Sequence, residues 1–377
     1  MEQIQKKAEQ FAQDHIRPFA KATDEEVRFP VESFKQMGEE GYFKLMIPKE
    51  LGGMGKGLEE HSVICREFAK ESATAGLCYM MHNVALMTVL TYGSEDLKEE
   101  ICKNIIENKV FMALAYSEFG TGTHFYKPEI LAEYSGGKIK LNGIKSMVTS
   151  AEQAAYYLVL APDETGVEGS INNLIIPADS NGVHFRMSAW NGLGMRGNVS
   201  APMVFENTEI DSSYQIGPSG SGMEQVFNVV APFFITGLAS VYTGVLLKLS
   251  EESINHSINR VYPDGQALRD IETVQIHNAQ IYSKAMAAKY MTQEAARSGA
   301  NGEEDALAKI LSARIFASEA SIECARIAMR VGGGKAYNGA GSIERLLRDA
   351  YAGQIMAPSV DVLIVWLGKA VTGLQIP

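Results

Sequence analysis

The chain is 377 residues long and 46% hydrophobic, with 34 Lys and Arg against 45 Asp and Glu for a formal net charge of −11. That length exceeds what one simple core organises, so two or three domains sharing interfaces are expected. The acidic balance argues against nucleic acid and anionic membranes as partners, because phosphate contacts need clustered Lys and Arg, and it leaves room only for a local basic patch toward an acidic partner.

Cys65, Cys78, Cys102 and Cys324 are scattered, with no C-x-x-C pair and no His at zinc spacing, so reduced, buried thiols and no metal are predicted. The first segment, MEQIQKKAEQFAQDHIRPFA, is mixed-charge and amphipathic rather than a signal peptide. No window approaches eighteen uninterrupted apolar residues, so no membrane span and a cytoplasmic location are expected.

Residues 1–112 read as helices. Phe11, His15 and Phe19 recur at helical spacing, and Pro30 suits the first turn of the next helix. A Gly-rich turn, IPKELGGMGKGLEE, precedes an apolar-periodic run from His61 to Tyr92, and Gly93, Ser94 and Glu95 read as a stop and a new cap. Over 113–214 the texture changes to strands. EYSGGKIKLNGIKSMVT alternates, with turn signals at Gly136-Gly137 and at Asn142-Gly143. YYLVLAP, NNLIIPA and APMVFENTEI are short apolar runs without intervening helices, which predicts a closed or sandwiched antiparallel sheet rather than a βαβ unit. Over 215–377 Ala-rich periodic segments return, as expected of a helical bundle, with YPDGQALRD as an excursion between two helices.

Motifs at the joints of this order carry a resemblance. Ile47, Pro48, Gly52, Gly53 and Gly55 match an IP-x-x-x-GG-x-G pattern, and SEFGTGTH at 117–124 stands where a TEPGAGSD loop is expected. Met147-Val148-Thr149-Ser150 occupies the place of a W-I-T-N strand, Gly332-Gly333-Gly334 that of a GGxG turn, and Arg348-Asp349-Ala350 is an RDA motif. In this order, over nearly the whole chain, they resemble the acyl-CoA dehydrogenase superfamily. The resemblance implies an α+β fold of three parts: an N-terminal helical domain, a middle antiparallel β-barrel and a C-terminal four-helix bundle.

It also implies FAD. Glycines in the SEFGTGTH loop let backbone N–H groups approach a ligand, and its small hydroxyls can donate to flavin carbonyls or a pyrophosphate. Tyr116, Ser117, Gly122 and Thr123 are thereby expected on the cofactor, with Met147 and Thr149 on the strand that backs it in relatives. Met147 replaces the usual Trp by a softer packing group. Arg260, Tyr262 and Gln275, followed by Arg330, Gly333 and Gly334, correspond to residues that reach the cofactor of a second subunit, which implies a homodimer or homotetramer.

Relatives remove the α-proton of a thioester with a Glu, which must lie within hydrogen-bond reach of that carbon. In most of them it follows RDA in a YEGT motif; here Ala357 stands at that position. In a minority it lies on the first bundle helix; here that helix reads FNVVAPFFITG, without an acid. Asp361, Glu118 or Glu224 could substitute, which would give conventional α,β-desaturation. His82 and His124 are the candidates for a weaker base, since imidazole titrates in the right range. SEFGTGTHFY, MSAWNGLGMRGN and RDAYAGQIMAPSVDVL resemble in particular the dehydrogenase-like proteins of polyketide extender-unit pathways, closest to the aminomalonyl members of colibactin and zwittermicin type. That resemblance implies oxidation of a 2-amino or 2-hydroxy malonyl semialdehyde on an acyl carrier protein. A non-catalytic scaffold that binds FAD or the carrier is the reading from another class.

Overall fold

The computed structural model describes residues 1–122, 124–339 and 341–376. Helices α1 (Glu2–His15), α2 (Ala20–Glu25), α3 (Val31–Glu39), α4 (Leu58–Glu71), α5 (Ala73–Tyr92) and α6 (Glu95–Asn108) come first. The long apolar run does not form one helix. It breaks at Ser72, whose side chain accepts from the Ala75 N–H and caps α5, and Ser94 caps α6 in the same way through Leu97. A capped break satisfies otherwise orphaned N–H groups and lets the two helices turn against each other.

Strands β1 (Met112–Ala115), β2 (Leu131–Ser135), β3 (Lys138–Val148), β4 (Tyr156–Pro162), β5 (Ile171–Pro177), β6 (Val183–Phe185), β7 (Ala201–Asp211) and β8 (Gln215–Ile216) form two four-stranded sheets. Their orders are β1-β4-β5-β8 and β2-β3-β7-β6. The expected closed antiparallel barrel is therefore corrected to two open sheets, and the β1–β4 pair is parallel. Alternation in sequence sets which face of a strand is buried, but not whether the last strand returns to the first. The β2–β3 hairpin turns at Gly136-Gly137, where both residues have positive φ, as a two-residue turn demands. Asn142-Gly143 is not a turn: β3 runs through it with a register shift, and Asn142 Oδ1 instead accepts the Asn207 N–H of β7 at 2.8 Å. A Cβ at Gly143 would stand 2.7 Å from Ile130, so the strand passes this point only with glycine.

The last third holds α7 (Gly222–Gln225), α8 (Ala231–Asn259), α9 (Glu272–Ala300), α10 (Ala306–Tyr337), α11 (Ile343–Ile355) and α12 (Val360–Val371). A π-turn over Val226–Val230 joins α7 to α8. Helix α10 packs on α8, α9, α11 and α12, while α8 also packs on α4 and α5. Two segments, Ala73–Tyr92 and Gly222–Asn259, have the length and mean hydropathy of a membrane span, yet 89% and 83% of their most apolar windows are buried inside the protein. Their apolarity serves the shared core, through which the helical domains hold the sheets between them.

Candidate active site

A cavity of about 650 Å³ opens where the two sheets meet α8 and α11. The loop after β1 contributes Tyr116, Ser117 and Gly122, and the end of β3 contributes Met147 and Thr149. Other lining comes from Val230 at the end of the π-turn, Ala231 and Phe234 at the start of α8, and Ile355 to Pro358 at the end of α11. A third wall comes from Trp190 and the segment Gly192 to Ser200.

The loop is fixed from beneath by a buried ion pair. Lys145 Nζ donates to Glu118 Oε1 at 2.5 Å and to the Leu160 carbonyl at 2.6 Å, and Glu118 Oε2 accepts the Glu129 N–H at 2.8 Å. Burial pulls the Lys145 pKa down, against the opposing pull of the Glu118 charge. The Ser146 N–H donates to the Ser117 carbonyl at 2.8 Å and ties the loop to β3. Tyr116 is buried and donates to Asn173 Oδ1 at 2.5 Å. Gly122 sits at φ +53 with open space where a Cβ would be. Thr123 lies outside the described residues. Met147 is 56% exposed on the cavity, and Thr149 Oγ1 pairs with Ser200 Oγ at 3.0 Å.

The candidate bases do not gather here. His82 is wholly buried on α5. Its Nε2 donates to the Phe43 carbonyl at 2.8 Å and its Nδ1 accepts the Met112 N–H at 3.1 Å, so both nitrogens are committed. Burial takes its pKa down to about 4, the Phe43 contact offsetting only part. It is a structural link between α5, β1 and the turn after α3, and the expectation of a base is corrected. His124 is exposed, with Nδ1 within 3.1 Å of the Tyr126 hydroxyl, and is not among the cavity's lining. Asp361 and Glu224 are exposed in the first turns of α12 and α7 and are not among the lining. Glu118 is the one carboxylate among the lining residues, and Lys145 already holds it. At the wall where the base is expected stand Met356, Ala357 and Pro358.

A second cavity, of about 860 Å³, lies between the end of α8 and the C-terminal part of α10. Arg260, Tyr262, Arg330, Gly333 and Gly334 all line it, and the Arg260 guanidinium stands 5.3 Å over the Tyr262 ring. Gly333, at φ +56 and ψ −147, interrupts α10 and leaves open space above the backbone. Gln275 is not brought to this cavity; its Nε2 donates to the Arg269 carbonyl at 3.1 Å.

The profiles of the acyl-CoA dehydrogenase N-terminal, middle and C-terminal domains match residues 1–109, 113–208 and 236–371. The chain belongs to the acyl-CoA dehydrogenase family. It is 28% identical over 351 residues to a 3-(aryl)acrylate reductase of Clostridium sporogenes, with 92% of each chain covered. Its fold matches that of the prolyl acyl carrier protein oxidase AnaB with a TM-score of 0.87, at 22% identity over 98% of both chains. It also matches FkbI, described for biosynthesis of the methoxymalonyl extender unit of the Fk520 polyketide, with a TM-score of 0.84, at 19% identity over 95% of this chain and 97% of that one.

As a member of the acyl-CoA dehydrogenase family the chain is an oxidoreductase with FAD as cofactor. The residues fit that group. The first cavity joins an apolar floor to a glycine loop with room above Gly122, and its wall contains the buried Asn198, whose Oδ1 has no partner among the described residues.

Sequence reasoning missed how this family member holds its third wall. Met195 and Val199 have φ of 51° and 46°, and a β-branched residue in that region is strained. The segment is gripped from both sides. The Met195 N–H donates to Asp349 Oδ1 at 2.6 Å, and Trp190 Nε1 to the Arg196 carbonyl at 2.7 Å. A Cβ on Gly194 would collide with the Arg348 carbonyl, and one on Gly197 with Thr23. Arg348 meanwhile pairs with Asp24 at 2.5 Å and with Glu344. Burial pushes the Asp349 carboxyl up to about 6, with the Met195 N–H and the nearby Arg345 pulling the other way. The signal available in sequence was the RDA motif, read there as a family mark rather than as a clamp.

Proposed function

We propose that this protein oxidises an acyl thioester carried by an acyl carrier protein, namely a 2-amino or 2-hydroxy malonyl semialdehyde, to the aminomalonyl or hydroxymalonyl thioester. The aminomalonyl branch, of colibactin or zwittermicin type, is the form we favour. One observation carries the reading: no unpaired carboxylate lines the cavity among the described residues, and Ala357 stands at an apolar wall. Removal of an α-proton from a saturated acyl chain needs a positioned base. Oxidation of an aldehyde hydrate does not. Its C–H leaves as hydride, the gem-diol O–H loses a proton to water, and the carbon becomes a carboxyl. FAD supplies the two-electron acceptor. The protein's part is to hold the thioester between the Met356–Ala357 wall and the Thr149–Ser200 hydroxyls, and to keep that wall free of charge.

The similarity to AnaB and FkbI supports a carrier-bound substrate. The second cavity supports a homodimer or homotetramer in which Arg260, Tyr262, Arg330, Gly333 and Gly334 reach the partner's cofactor. The test is mass spectrometry of seryl- and glyceryl-loaded carrier proteins incubated with this protein and an upstream alcohol-oxidising dehydrogenase. The expected product carries a new carboxyl only when both enzymes are present. Rapid bleaching of the flavin by butyryl-CoA, abolished in Asp361→Asn, would instead establish conventional desaturation.

A further inference from the structure

Asn198 is 2% exposed in the wall of the first cavity, and its Oδ1 finds no hydrogen-bond partner among the described residues. A buried amide left in this way costs stability unless something else pairs with it. Its own backbone groups are already paired. The Asn198 N–H donates to the Met195 carbonyl at 2.9 Å, and its own carbonyl accepts the Ser150 N–H at 2.8 Å. Thr149 and Ser200, which also line the cavity, pair with each other. The backbone on both sides is held in the left-handed conformation at Met195 and Val199. Such conformations persist only where the surroundings enforce them, and they concentrate at ligand sites. The side chain is therefore placed by a rigid frame, with its Oδ1 left without a partner among the described residues.

A carboxamide offers one acceptor and two donor hydrogens at a single pivot, and half a turn about its last bond exchanges the two ends. We propose that Asn198 is a ligand-binding residue, whose amide hydrogen-bonds a polar atom presented to this wall. Two sources carry that chemistry: a heteroatom at the flavin edge, or the polar 2-substituent of the acyl group. The second rests on the proposed function; the first does not.

Asn198→Leu keeps the volume and removes the hydrogen bond, and Asn198→Ser serves as a smaller polar variant. FAD titrated into the apoprotein, followed by flavin fluorescence, gives the first arm. Calorimetric titration of the FAD-loaded protein with a 2-aminoacyl pantetheine thioester and with its des-amino analogue gives the second. Loss of an unpartnered amide should leave the apoprotein at least as stable. Affinity should nevertheless fall roughly tenfold in one arm, the size expected for one hydrogen bond. Weaker FAD binding assigns the amide to the flavin. Weaker binding of the amino thioester alone, with FAD unchanged, assigns it to the substrate. Affinities within about twofold of wild type in both arms for both variants overturn the proposal. So does a loss of affinity matched by an equal loss of apoprotein stability, which would make Asn198 a structural residue.

Discussion

Replacing Asp349 with Asn should stabilise the protein at neutral pH, and by an amount that depends on pH. In the unfolded chain this carboxyl ionises near 3.8; in the fold, burial moves it to about 6. Between those values the folded chain retains a proton that the unfolded chain has released. Stability therefore falls as pH rises through the window, and the loss is complete above it. A displacement of this size corresponds to about 3 kcal/mol. Asn keeps an oxygen to accept the Met195 N–H and carries no charge. Urea unfolding of the FAD-loaded protein should show wild type and Asp349→Asn alike below pH 4. Their difference should grow to about 2–3 kcal/mol in favour of Asn by pH 7.5. A difference that does not change with pH would refute the reasoning, as would an Asn variant that is less stable than wild type at pH 7.5.

His82→Ala strips the Phe43 carbonyl and the Met112 N–H of their partners, so denaturation should show a loss of about 2–5 kcal/mol. Stopped-flow reduction of the flavin by the loaded carrier protein should change by less than a few fold, because the ring never meets substrate. Gly122→Val forces a β-branched residue to φ +53 at the cavity loop, and FAD stoichiometry in purified protein should fall; Gly122→Asn, which tolerates that conformation, should retain more flavin. Lys145→Met leaves Glu118 buried without a counter-charge. Thermal unfolding should register a cost of about 3–5 kcal/mol, with loss of FAD as the loop loosens.

Much of the architecture was legible because it was written in local chemistry. Ser94 declared a cap, Gly136-Gly137 declared a hairpin, and glycine motifs in the right order declared the family. What stayed hidden was decided by distant partners. The pairing of β1 with β4 joins segments more than forty residues apart, as Met112 meets Tyr156, and nothing in either strand specifies a parallel neighbour. His82 has the right chemistry for a base, but two backbone groups from other elements consume it. Asn142-Gly143 has the composition of a turn, yet the β7 partner draws it into the sheet as an irregularity. At the candidate site the missing acid could be read from Ala357, because an absence needs only alignment with a motif. Asn198 could not be found so, because its significance lies in an Oδ1 without a partner among the described residues.

The wall from Gly194 to Ser200 also bears on how such a chain can change over time. This one stretch of the sheet region abuts Thr23 near the start of the chain and Arg348 and Asp349 near its end. Bulk added at Gly194 meets the last domain and bulk added at Gly197 meets the first, so compensation for changes along the stretch would need coordinated changes in segments widely separated in the gene. The three parts are thus poor candidates for independent exchange between homologues. Chimeras crossed near residue 112 or residue 215 should fold best when the pieces that touch this stretch come from the same parent.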